Sequence, residues 1–132
     1  MTPVGTPVFL TVDEVVALHD LQLRSFGGLA GVRDAGLLAS AVAMRQAGFG
    51  EHFAHPDVFE MAAAYLFHLV QDHPFVDGNK RVGFHAAYTF LRLNGVRLVM
   101  PQGEAYDLVI ATAEGRATKQ DIAAAFREYA HR

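Results

Sequence analysis

Apolar positions recur at helical spacing along most of the chain, and polar or glycine-rich breaks divide them into about six segments. Thr11-Val12-Asp13-Glu14 pairs a threonine with a glutamate three residues on, a capping box. A helix is therefore predicted from Thr11 to about Ser25, with Val12, Val15, Val16 and Leu23 inward. His19 falls in that stripe and reads as a hydrogen-bonded structural histidine. Arg24 stands near the helix end, where a cation suits the dipole. Gly27-Gly28 and Gly31 make a glycine-rich connection without the strand context of a dinucleotide fingerprint, so it reads as a turn. Asp34 is placed to cap a second helix to about Arg45, with Leu37, Leu38, Ala41 and Val42 inward.

Gly48 to Pro56 is the least regular stretch and reads as a lid or flap. His52 and His55 lie there at i, i+3. No third ligand is evident nearby, so they read as surface histidines. Asp57-Val58-Phe59-Glu60 looks like another cap, and the helix after it, to about Gln71, is apolar nearly all round. Such a helix belongs at the centre of a fold. His68 and Asp72, at i, i+4, are spaced to pair, and His68 is taken as structural. Beyond Gly95, Val96 to Met100 reads as extended, and Gly103 to Ala113 and Thr118 to about Ala130 read as helices. Met1 to Leu10 contains two prolines and is expected to be loosely ordered. The fold expected is all-α: a compact single-domain helical bundle of about six helices over residues 1–132, with room for a small β-hairpin flap.

One stretch does not fit a packing pattern alone. His73 to Gly95 reads HPFVDGNKRVGFHAAYTFLRLNG, a short polar loop running straight into an amphipathic helix. Gly78 or Asn79 opens the helix, Phe84, Ala87, Tyr88 and Leu91 form its apolar stripe, and Asn94-Gly95 ends it. The first turn of a helix has free N–H groups and the positive end of the macrodipole, so it attracts phosphate. Gly78 allows close backbone approach to an anion. Lys80 and Arg81 are mildly unfavourable for a helix start, and a bound polyanion would explain them there. Asp77 could hold Mg²⁺, which takes one or two carboxylates plus substrate phosphates. His73, at the loop entrance, is the candidate general base. Phe75, apolar in a polar run, is expected to point inward. An ordinary Pro/Gly/Asn turn remains the bland alternative, and it accounts for each residue better than for the set.

Composition narrows the classes. The chain is 52% hydrophobic, enough for a core, and its net charge of −3 gives no sign of general nucleic-acid binding. There is no cysteine, so disulfides and thiolate chemistry are out of reach, and a cytoplasmic setting is expected. No signal peptide and no membrane-length apolar run is evident.

HPFVDGNKR resembles the signature of the Fic/Doc family, usually HPFx(D/E)GNGRxxR. "HD…FGGL.G.RD.GLL.SA" near the N-terminus and "TFLRLNG" after the loop are typical of its Doc (death-on-curing) branch. Two positions depart from the usual pattern: Lys80 replaces a glycine, and Phe84 falls on the last arginine, with His85 beside it. Family members that transfer AMP use that arginine to orient the nucleotide. Doc-type toxins lack it, carry lysine in the earlier slot, and move the γ-phosphate of ATP onto a threonine of elongation factor Tu. The resemblance thus implies a toxin kinase using ATP and Mg²⁺, with His73 as base, Asp77 on the metal, and Gly78, Asn79, Lys80, Arg81 and His85 on phosphate. AMP transfer and a non-catalytic binding module remain as alternatives; a metal hydrolase using His68, His73 and Asp77 is remote. In the Doc resemblance Arg24 is a candidate for facing the site, and the Gly48 to Pro56 stretch corresponds to a target-docking flap. Glu114-Gly115 matches the end of the family's self-inhibitory helix, but Ile110 stands where that motif needs Ser or Thr. Inhibition is therefore expected from a separate antitoxin chain.

Overall fold

The structure, a computed structural model, describes residues 7–43, 48–49, 52–53 and 57–131. Among the described residues there are six helices: α1 (Val12–Phe26), α2 (Ala35–Ala43), α3 (Val58–Asp72), α4 (Asn79–Leu93), α5 (Gln102–Ala113) and α6 (Lys119–Glu128). Two short antiparallel pairs accompany them: β1 (Gly48–Phe49) with β2 (His52–Phe53), and β3 (Arg97–Leu98) with β4 (Ala130–His131). The all-α expectation holds, and the first pair is the anticipated hairpin. Of the flap's histidines, His55 lies outside the described residues, and only the backbone of His52 is described.

The caps form where the residue types asked for them. Thr11 and Glu14 exchange both capping-box bonds, and so do Thr118 and Asp121. Asp57 accepts from the Glu60 N–H at 2.8 Å, and Asp34 from the Leu37 N–H at 2.9 Å. Helix α3 is central, with Met61 through Leu66, Leu69 and Val70 buried, and it packs on α2, α4, α5 and α6. Its crossing with α4 is close. A Cβ at Gly83 would stand 2.8 Å from Val70 Cγ2, so α4 meets α3 through a glycine.

Two expectations need correction. The lead-in is fastened in its described part: Leu10 is buried, its N–H donates to the Tyr65 hydroxyl at 2.8 Å, and Val8 exchanges two bonds with the Asn94 side chain. A backbone entering beside a core must satisfy its polar groups, and these side chains do so. The last helix ends at Glu128, because Ala130–His131 pairs with Arg97–Leu98 instead of continuing helically. No described helix is long and apolar enough to cross a membrane.

Candidate active site

The loop from His73 to Gly78 joins the two most tightly packed helices, α3 and α4. It is strapped along one side by residues 29–34. Val32 and Phe75 form an antiparallel bridge, flanked by Arg33 N–H to Pro74 O at 2.8 Å and Val76 N–H to Gly31 O at 3.0 Å. In a bridge flanked this way, the N–H and C=O of Phe75 face away from the strap. The Asn79 side chain meets them there: Oδ1 accepts from the Phe75 N–H and Nδ2 donates to Phe75 O, both at 3.0 Å. Phe75 itself is buried, as expected, and its ring stacks on His19 with centroids 3.8 Å apart.

His19 closes the same unit. Its buried ring packs flat on Phe75, and Nε2 lies 2.7 Å from Asp77 O. The structural reading of this histidine holds, and it acts on the loop. His68 lies 3.7 Å from Asp72 and 3.3 Å from Lys119 Nζ, so it too has structural partners. Arg24 is exposed in the last turn of α1, and among the described residues no hydrogen bond or ion pair joins it to the loop. Among the described residues no cluster of three or more His, Asp or Glu is arranged to hold a metal by itself.

What the loop presents outward is chemical. His73 is exposed at the end of α3, in the left-handed conformation with φ 49° and ψ 55°. Asp77 is exposed too, and its carboxylate accepts from the Leu29 N–H at 3.2 Å and the Gly78 N–H at 2.9 Å. Those two N–H groups, opposed by desolvation and helped to a lesser extent by Arg81 and His19, hold its pKa below the ordinary 3.8. The glycine-rich turn takes part here: a Cβ on Gly28 would come 2.9 Å from Asp77 Oδ2. Sequence reasoning missed that role.

Helix α4 then starts with no side-chain cap, from Gly78 at φ 77°. The N–H groups of Asn79, Lys80 and Arg81 have no intrahelical acceptor by position, so the end is open to an anion. Lys80 is exposed, and Arg81 lays its guanidinium 4.7 Å from the centroid of the exposed Phe26 ring. The donor set fits a metal-bound phosphate. One ionised carboxylate with free lone pairs suits Mg²⁺ that takes its other ligands from phosphate and water.

One expected phosphate contact reads differently in the structure. The Asn79 amide is turned inward and occupied by Phe75 on both its atoms, which leaves only the Asn79 backbone N–H for an anion. His85 is half-buried, and desolvation lowers its pKa from 6.5. In the free protein it therefore favours the neutral form near pH 7. Phe84 packs edge-on against Phe126 with centroids 6.5 Å apart, as part of the core stripe.

A sequence profile of the Fic/DOC family matches residues 9–91, which span every residue of this site. The chain belongs to the Fic/Doc family. Within it the likeness is to the Doc branch. It is 34% identical over 118 residues to a protein named "Protein kinase doc" from Escherichia phage P1, covering 89% of this chain and 92% of that one. It is 50% identical over 74 residues to a protein named "Toxin Doc" from Mycolicibacterium smegmatis, covering 56% of this chain and 57% of that one.

Proposed function

We propose that the protein is a Doc-type toxin that transfers the γ-phosphate of ATP to a serine or threonine hydroxyl of a protein target such as elongation factor Tu, inhibiting translation. The observation that carries this reading is the pairing of an exposed histidine and an ionised aspartate with an uncapped, cationic helix start on one rigid loop.

The roles follow from the chemistry. His73 accepts the proton of the attacking hydroxyl. The open N–H groups at the start of α4 hold phosphate oxygens, and Lys80 and Arg81 neutralise charge that builds on the transferred group. Asp77 would hold Mg²⁺, which when bound supplies further charge neutralisation on the phosphates. His19, Asn79 and the 29–34 strap keep these groups in place before substrate arrives, which is what positioning chemistry requires. Exposed Phe26 at the end of α1, Leu29 and Val32 on the strap and Val76 in the loop itself offer an apolar rim suited to a macromolecular target. The likeness to a phage protein named as a kinase favours phosphoryl transfer. AMP transfer is disfavoured by the core packing of Phe84, which stands where the family's last arginine would be.

An antitoxin chain that covers this loop is the expected inhibitor. The direct test is labelling of purified elongation factor Tu from γ-labelled ATP with Mg²⁺. Label should enter with the wild type and fall on the order of 10²–10⁴-fold with His73→Ala. Undiminished transfer by His73→Ala removes His73 from the mechanism.

A further inference from the structure

Helix α3 ends in carbonyls that have no intrahelical partner. One side chain from a distant part of the sequence takes the last of them, at Asp72, and the carbonyl of the C-cap, His73. Arg33 donates from Nε to His73 O at 2.6 Å and from Nη2 to Asp72 O at 2.9 Å. The backbone N–H groups of Arg33 and Asp34 both donate to the next carbonyl, Pro74 O, at 2.8 and 3.1 Å. Three consecutive carbonyls around His73 are thus held from residues 33–34.

His73 needs that hold. It is the only non-glycine residue with positive φ among the described residues, a conformation in which a Cβ crowds the following carbonyl. Glycine or asparagine is the usual occupant of such a helix end. The left-handed turn sends the chain back under the helix, so that Phe75 is buried while His73 stays exposed. An ordinary backbone conformation at His73 would redirect its ring.

We infer that Arg33 is the positioning residue for His73: its forked guanidinium locks the left-handed turn that aims the imidazole. The inference rests on the proposed role of His73 as the base. Only arginine suits the task, because a planar fork reaches two carbonyls at once, while a lysine ammonium is a single point donor. Asp72 does not draw the guanidinium away, since its carboxylate faces His68 and it is its carbonyl that Arg33 meets.

The test compares wild type, Arg33→Lys and Arg33→Ala with elongation factor Tu and γ-labelled ATP, with kcat and the KM for ATP measured separately. Both variants should lose kcat, Arg33→Ala by about a hundred-fold, the scale of a reacting group displaced by about 1 Å, with KM for ATP nearly unchanged. Added guanidinium ion at low millimolar concentration should restore part of the Arg33→Ala rate. A readout independent of transfer is the ¹³Cα and ¹³Cβ shift of His73, which reports its φ and ψ. It should leave the left-handed range in Arg33→Ala while the rest of the spectrum stays dispersed. An unchanged kcat, or a His73 shift that does not move, overturns the inference. If the wild type itself moves no label, the proposed function fails instead, and the His73 shift alone decides the role of Arg33.

Discussion

Asn79→Ala removes a side chain that stands at the open start of α4 yet faces inward, to the loop. Its amide makes two bonds, to the N–H and to the C=O of Phe75, each at 3.0 Å. Asn79 and Phe75 are both buried, and the Val32 bridge leaves those Phe75 groups pointing away from the strap. Alanine strands a buried donor and a buried acceptor. Each such orphan costs about 1–3 kcal/mol, and partial relaxation of the loop brings the total to about 2–4 kcal/mol. A domain of this size then loses roughly 10 °C in Tm. Urea unfolding followed by circular dichroism measures the loss, with the slope m unchanged if only the folded state is affected. Asn79→Asp keeps the acceptor for the Phe75 N–H but sets a carboxylate against Phe75 O, so it should destabilise as well. A surface residue whose sole task is to touch phosphate changes stability by no more than about 0.5 kcal/mol. A loss that small in Asn79→Ala would refute the inward clamp and return the amide to the phosphate.

Other predictions follow from single contacts. Gly83→Ala drives a Cβ to 2.8 Å from Val70 Cγ2 and 3.3 Å from Leu66 O; overpacking of about 1–3 kcal/mol should exceed the propensity gain of alanine, seen as a lower urea midpoint. Tyr65→Phe leaves the buried Leu10 N–H without its acceptor and should cost about 1–3 kcal/mol by the same assay. The lowered pKa of Asp77 means that its carboxylate contributes stability above the ordinary value of 3.8 and loses that contribution as pH falls through the lower folded value. Mg²⁺-dependent ATP binding, measured by calorimetry, should therefore show no Asp77 titration between about pH 5 and pH 8, and Asp77→Asn should weaken it at every pH in that window.

The sequence disclosed those parts of the fold that depend on neighbours in the chain. Thr11 with Glu14, Asp57 with Glu60 and Thr118 with Asp121 announce helix starts because a cap bonds only a few residues away. The all-round apolar run after Asp57 identified the central helix for a similar reason. The site residues were legible as a set, since one loop carries His73, Asp77 and the cationic start of α4. What supports them was not, because it comes from far along the chain. Arg33 reaches carbonyls 39 and 40 residues away, and Gly28, which read locally as part of a turn, is pressed against Asp77. The direction of the Asn79 amide was equally hidden. Residue type places an amide at a helix start, but the geometry of the Val32–Phe75 bridge decides which way it turns.

The central claim is that this loop moves the γ-phosphate. Elongation factor Tu would be incubated with the protein and Mg²⁺, with ATP labelled at the γ-phosphate in one tube and at the α-phosphate in the other. Label from the γ position alone is the predicted result, and Lys80 with the core-packed Phe84 then marks a kinase-type site. Label from the α position would contradict the account, because it would require AMP transfer from a site with Phe84, packed on the core, where AMP-transferring members have an arginine.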